Sequence, residues 1–182
     1  MQSILDTAKD LIRSVVREDS IVADCTMGNG GDTLFLSSLV PKGHVYAFDI
    51  QPEALVNTEK KLCENNAMAN VTLINNCHSK IKDYISENIS AAMFNLGWLP
   101  NHEKIITTKR ETTLPAIRNA MDLLEKDGIV LIVVYPSHEE GRLEGIEIEK
   151  MISSLDKKYY DAIIHRIINV PECPYIMAVQ KR

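Results

Sequence analysis

Asp24-Cys25-Thr26-Met27-Gly28-Asn29-Gly30-Gly31-Asp32-Thr33 lies between two short apolar runs, Ile21-Val22-Ala23 before it and Leu34-Phe35-Leu36 after it. That order reads as a buried strand, a tight turn and the start of a helix. Glycines at such a turn let the backbone approach a ligand that a Cβ would hold away. The next apolar run, Val45-Tyr46-Ala47-Phe48, closes on Asp49 and continues into Ile50-Gln51. A carboxylate at the end of a second strand, about 20 residues beyond the turn, can accept bonds from both hydroxyls of a ribose. Turn and distant acid together read as a nucleoside-cofactor site. A glycine-rich turn alone would read as a ligand-free connection.

Two cofactors compete for this spacing. A dinucleotide needs a small third residue for close helix packing and a helix N-terminus open to a pyrophosphate. Here that third position is Thr33, and Asp32 adds negative charge in the first helical turn. The same aspartate suits S-adenosylmethionine, which carries an ammonium and a sulfonium. Asp24-x-Thr26-x-Gly28-x-Gly30 also resembles the acidic-x-Gly-x-Gly-x-Gly first motif of class I methyltransferases, with Thr26 in place of the first glycine. S-adenosylmethionine is therefore the expected cofactor, in preference to NAD.

The 182 residues are expected to form one domain, 1–182, large enough for a substantial core. An apolar share of 45% and a charged share of 25% place the chain among soluble globular proteins. No run approaches a membrane span, and the N-terminal residues lack a basic-then-apolar leader, so a cytoplasmic protein is expected. The four cysteines form no C-x-x-C, which favours small buried residues in a reducing compartment, and no metal site is expected. A net charge of −5 excludes a broad basic face but leaves room for local patches.

Ile4, Leu5, Ala8, Leu11, Ile12, Val15 and Val16 recur at helical spacing and predict an amphipathic helix over 2–17, whose apolar face could close the fold or make a homodimer. Strands are expected near 20–24, 44–49, 71–75, 90–96, 128–135, 160–168 and 174–180. Further helices are expected near 32–39, 52–66, 79–87, 110–125 and 139–154, with Pro52 in a first turn and Gly128 as a helix stop. This alternation implies an α/β fold: a seven-stranded, mostly parallel sheet with helices on both faces and a C-terminal antiparallel hairpin. That is the Rossmann-like class I methyltransferase layout.

In such a sheet the ligand lies beyond the carboxyl ends of the strands. The turn Thr26–Asp32, with Met27 and Asn29, would face the methionine part of the cofactor. Asp49, Ile50 and Gln51 would face the ribose. Cys77-His78-Ser79 follows the third strand, where a side chain could meet the adenine edge; His78 reads equally well as an exposed residue before a helix. Asn95-Leu96-Gly97-Trp98 follows the fourth strand and resembles the Asn/Asp-Pro-Pro-aromatic tetrapeptide of methyltransferases acting on exocyclic amines. There, a side-chain oxygen and a following carbonyl hold the amine, and the aromatic stacks on the base for about 1–3 kcal/mol. Tyr135-Pro136-Ser137-His138 follows the fifth strand; His138 could accept a proton from an incoming ammonium, with His102 and Glu103 as competitors.

Asn95-Leu96-Gly97-Trp98-Leu99-Pro100, Lys104, Thr107-Thr108, Tyr135-Pro136-x-His138-x-Glu140-Gly141 and Asn169-x-Pro171-x-x-Pro174 together resemble the YtqB/MnmM family of methyltransferases, formerly described as ribosomal-RNA methylases. The resemblance implies methylation of the 5-aminomethyl group of wobble 2-thiouridine in the tRNA anticodon loop. By the same resemblance, Thr26, Gly28, Asn29, Gly30, Asp32, Thr33, Asp49, Gln51 and His78 map onto the cofactor pocket. Asn95, Leu96, Gly97 and Trp98 map onto the amine site, and Tyr135 and His138 onto the substrate side. Ser137 and Asn101-His102-Glu103 depart from the family pattern. Lys80, Lys104, Lys109 and Arg110 are the expected phosphate contacts. The alternatives that remain are ribosomal RNA or a small amine as substrate, and a non-catalytic nucleoside-binding module.

Overall fold

The computed structural model describes residues 2–97 and 107–182. Strands β1 (Ile21–Asp24), β2 (His44–Asp49), β3 (Val71–Asn75), β4 (Ile89–Asn95), β5 (Leu124–Val134), β6 (Tyr160–His165) and β7 (Tyr175–Lys181) form one sheet in the order β3-β2-β1-β4-β5-β7-β6. β1 to β5 run parallel, and β7 lies antiparallel between β5 and β6. This is the sheet and terminal hairpin that the sequence pattern implies.

The central strands are buried on both faces, so they carry continuous apolar runs rather than alternation. In β5, Val130, Ile132 and Val134 join one core while Ile129, Leu131 and Val133 join the other. Helices α1 (Ile4–Arg13), α2 (Gly31–Leu39) and α3 (Pro52–Glu64) cover the second core. A 3-10 turn (His78–Asp83), α4 (Arg110–Leu123) and α5 (Glu139–Ser153) cover the first. Ile4, Ala8 and Ile12 of α1 pack against β5 and β7, so of the two uses expected for that face it closes the fold.

Three local expectations are corrected. The first helix ends at Arg13, where Ser14 Oγ donates to the Leu11 carbonyl and two β-branched valines follow. The stretch near 79–87 is not a helix of that length but a 3-10 turn over His78–Asp83, kinked at Lys80, with Ile81 and Ile85 buried. Gly128 does not stop α4. That helix ends at Leu123, Leu124 is already extended, and Gly128 sits within β5, where a Cβ would stand 3.0–3.1 Å from three carbonyl oxygens.

Gly30 joins the turn to α2 and α3. It caps α2 with φ +74°, and a Cβ there would meet Thr58 Cα at 3.0 Å. Gly30→Ala therefore combines left-handed strain with overpacking, and chemical denaturation should find it destabilised by about 1–3 kcal/mol.

Candidate active site

β1 and β4 are neighbours, yet the chain leaves β1 toward β2 on its other side. Loops from the two strands diverge there and open a crevice at their carboxyl ends. Asp24 ends β1 and is 1% exposed. Its oxygens accept the Thr26 N–H at 3.1 Å and the Thr33 hydroxyl at 2.6 Å, which folds the turn back over the strand and docks α2. Thr26 Oγ1 in turn accepts the Asn95 N–H at 2.7 Å, tying the turn to the tip of β4. A glycine in place of Thr26 would lack that acceptor.

The crevice is a cavity of about 760 Å3. A more open hollow of about 860 Å3 beside α2 has no carboxylate on its wall. Asp49 reaches the cavity wall from β2, and its two oxygens accept N–H groups from Gly28 (3.1 Å) and Gln51 (2.9 Å). A carboxylate offers about four lone-pair sites, so one remains on each oxygen for a ribose hydroxyl. His78 Nδ1 lies 2.9 Å from the Cys25 carbonyl oxygen, which can only accept; Nδ1 therefore carries the proton and Nε2 is an acceptor. That Nε2 is buried with no hydrogen-bond partner among the described residues, and burial lowers the imidazole pKa, keeping the ring neutral. An orphaned acceptor and a half-used carboxylate on one wall fit the amino group and the ribose of an adenosine.

Across the cavity Asn95 Nδ2 donates to Asp32 Oδ2 at 3.1 Å, and the Tyr135 phenol stands near the Asn95 side chain. Burial, aided by the Asp32 charge, pushes the Tyr135 phenol up. Thr26, Met27, Gly28, Asn29, Asp32, Asp49, Ile50, Gln51, His78, Asn95, Leu96, Gly97 and Tyr135 all reach the wall. Trp98, His102, Glu103 and Lys104 lie outside the described residues.

Four expected residues stand behind the wall. Gly30 and Thr33 shape the turn, and Ser79 Oγ bonds Cys77 Sγ. His138 precedes α5 and spends Nδ1 on accepting the Gly141 N–H of the first turn, so it is a helix cap and not a wall residue. Arg110, expected on phosphate, is paired with Glu140 (3.1 Å) and Glu147 (3.6 Å). Phe48, Lys61 and Asn76 reach the wall without having been foreseen. Phe48 and Asn76 carry a signal: each is adjacent to or just beyond a parallel strand's carboxyl end. Lys61 does not, because only the packing of α3 brings it there.

Residues 45–181 match the family described as "Putative rRNA methylase". The chain belongs to that family. It is 35% identical over 179 residues to the "tRNA (mnm(5)s(2)U34)-methyltransferase, chloroplastic" of Arabidopsis thaliana; the match covers 92% of this chain and 65% of the longer relative. A structure described as a putative rRNA-methylase from Clostridium thermocellum superposes with a TM-score of 0.97 at 38% identity, covering 100% of this chain and 99% of that one. A putative methyltransferase from Streptococcus mutans, solved in complex with SAH, superposes at 0.92 with 34% identity, again over 100% and 99%. The methylase-family chain thus has the Rossmann-like class I methyltransferase fold, with Asp32 and Asp49 on the cavity wall where the strands diverge.

Burial pushes the Asp24 carboxyl up from 3.8 to about 7, Asp32 adds to the push, and the Thr33 and Thr26 bonds oppose it. The native state then holds that proton more tightly than the unfolded chain. Asp24's contribution to stability is greatest below about pH 4 and is lost as pH rises to about 7. In thermal melts across this window, the melting temperature of Asp24→Asn minus that of wild type should rise with pH.

Proposed function

We propose that this chain transfers the methyl group of S-adenosylmethionine to the primary amine of 5-aminomethyl-2-thiouridine at the tRNA wobble position. One arrangement carries the reading: Asn95 is bonded both to Thr26 of the glycine turn and to Asp32 at the start of α2. The acceptor suited to an amine and the cradle suited to the cofactor therefore share one wall. When bound, the cofactor supplies an electrophilic methyl on a sulfonium. Asp49 holds ribose hydroxyls, His78 Nε2 meets the adenine amino group, and Asp32 offers negative charge to the cationic groups.

Methyl transfer needs a neutral, desolvated nitrogen held in line with the methyl group, and little covalent help. Asn95 and the Leu96 carbonyl hold that nitrogen, and Asp32, bonded to Asn95, is the carboxylate placed beside an arriving ammonium. Tyr135 stands near Asn95 on the cavity wall. The role once expected of His138 passes to this cluster. Anticodon bases are already unpaired, which lowers the cost of bringing one into a pocket. Lys61 and Lys109 on the wall supply phosphate contacts in a chain of net charge −5. The name of the Arabidopsis relative and the Asn95-Leu96-Gly97 and Tyr135-Pro136 segments support this substrate over other amines.

The test is nucleoside mass spectrometry on tRNA carrying 5-aminomethyl-2-thiouridine, incubated with the chain and S-adenosylmethionine. Conversion to the methylaminomethyl form is expected. Cofactor binding without conversion would move the substrate to ribosomal RNA or a small amine. Asp49→Ala should weaken cofactor binding by about 10- to 100-fold, because two hydroxyls lose a charged acceptor. Asn95→Ala should keep cofactor affinity within about threefold yet lower turnover about 100-fold, the scale of losing one transition-state hydrogen bond. Lys109→Ala should weaken tRNA binding and reduce its salt slope by about 1; an unchanged slope would remove Lys109 from the phosphate path.

A further inference from the structure

Glu144 lies on α5, off the cavity wall, and is fully buried. Carboxylates are almost never fully buried without partners. Here both oxygens are taken by hydroxyls: Thr113 Oγ1 donates to one at 2.5 Å and Thr108 Oγ1 to the other at 2.9 Å. Thr108 leads to the site. Its Oγ1 accepts the Gly97 N–H at 3.0 Å, and its own N–H donates to the Gly97 carbonyl at 3.0 Å. Gly97 and Thr108 are thus clasped to each other, eleven positions apart, and the clasp ends on Glu144.

The direction at Gly97 is fixed by the backbone, and with Glu144 ionised the direction at Glu144 is fixed as well. A hydroxyl has one proton, and an ionised carboxylate only accepts. With its proton turned to Glu144, Thr108 presents lone pairs to Gly97, and a backbone N–H can only donate. The peptide between Leu96 and Gly97 is trans, so the Leu96 carbonyl points opposite to the Gly97 N–H, away from Thr108. Gly97 has φ +132°, a conformation that other residues rarely adopt, and it brings no side chain of its own to hold the peptide plane, which the clasp does.

We propose that Glu144 is a positioning residue: through Thr108 it sets the plane of the Leu96–Gly97 peptide and so aims the Leu96 carbonyl at the substrate amine beside Asn95. This inference rests on the methyl-transfer reading above. Thr113 provides an internal control, since it binds the same carboxylate but has no link to Gly97.

Steady-state kinetics on tRNA, with cofactor affinity measured separately, test it on wild type, Thr108→Val, Thr108→Ser, Thr113→Val and Glu144→Gln. Thr108→Val should lower kcat about 10- to 100-fold, the scale of a small misplacement, with cofactor affinity kept within about twofold. Thr108→Ser keeps the hydroxyl and should restore most of kcat. Glu144→Gln keeps one acceptor oxygen and should fall between them. Thr113→Val should lower the melting temperature but leave kcat within about twofold of wild type. Equal loss of kcat in the two valine variants, no loss in either, or failure of serine to rescue would overturn the inference. No transfer by the wild type would overturn the methyl-transfer reading and this inference with it.

Discussion

Burying the Asp24 carboxyl at the end of β1 is the constraint on which the rest of the site depends. A buried acid must be hydrogen-bonded, and few donors can reach the end of a central strand. The Thr26 N–H and the Thr33 hydroxyl do, so the chain must curl back over β1 and dock the start of α2 there. The curl leaves Thr26 Oγ1 facing β4, where it takes the Asn95 N–H, and leaves the Gly28 N–H facing Asp49. Four backbone segments are thereby tied to one point.

The same device recurs on the opposite layer. Asp24 and Glu144 are both buried acids bonded to threonines, Asp24 to a backbone N–H and a hydroxyl and Glu144 to two hydroxyls. One shapes the cradle and the other the clasp after β4. Between them the cavity wall carries Asp32 beside the glycine turn and Asp49 at the end of β2, with Lys61 and Lys109 also on it.

Much of this was legible in the sequence. Apolar runs marked the central strands β1, β4 and β5, because a strand buried on both faces has little choice of residue. The turn and Asp49 were legible because glycine and acid occur there for reasons local to the chain. What was not legible came from distance in sequence. Lys61 reaches the wall only because α3 packs where it does. His138 looked like a base beside a strand end, but the first turn of α5 claims its Nδ1. Glu144 carried a faint signal, an acid on the buried stripe of Gly141, Gly145 and Ile148, but its partners lie some 30 residues away.

By itself the sequence determined the order of strands and helices, the glycine turn and the acid that answers it, since these follow from burial, backbone freedom and charge along a continuous stretch of chain. Only the tertiary structure decided which of those residues face the cavity and which stand behind it holding the others. Hydrogen bonds between segments far apart in sequence settle that: Asn95 to Asp32, His78 to Cys25 and Thr108 to Glu144 exist only once the sheet has brought its strand ends together.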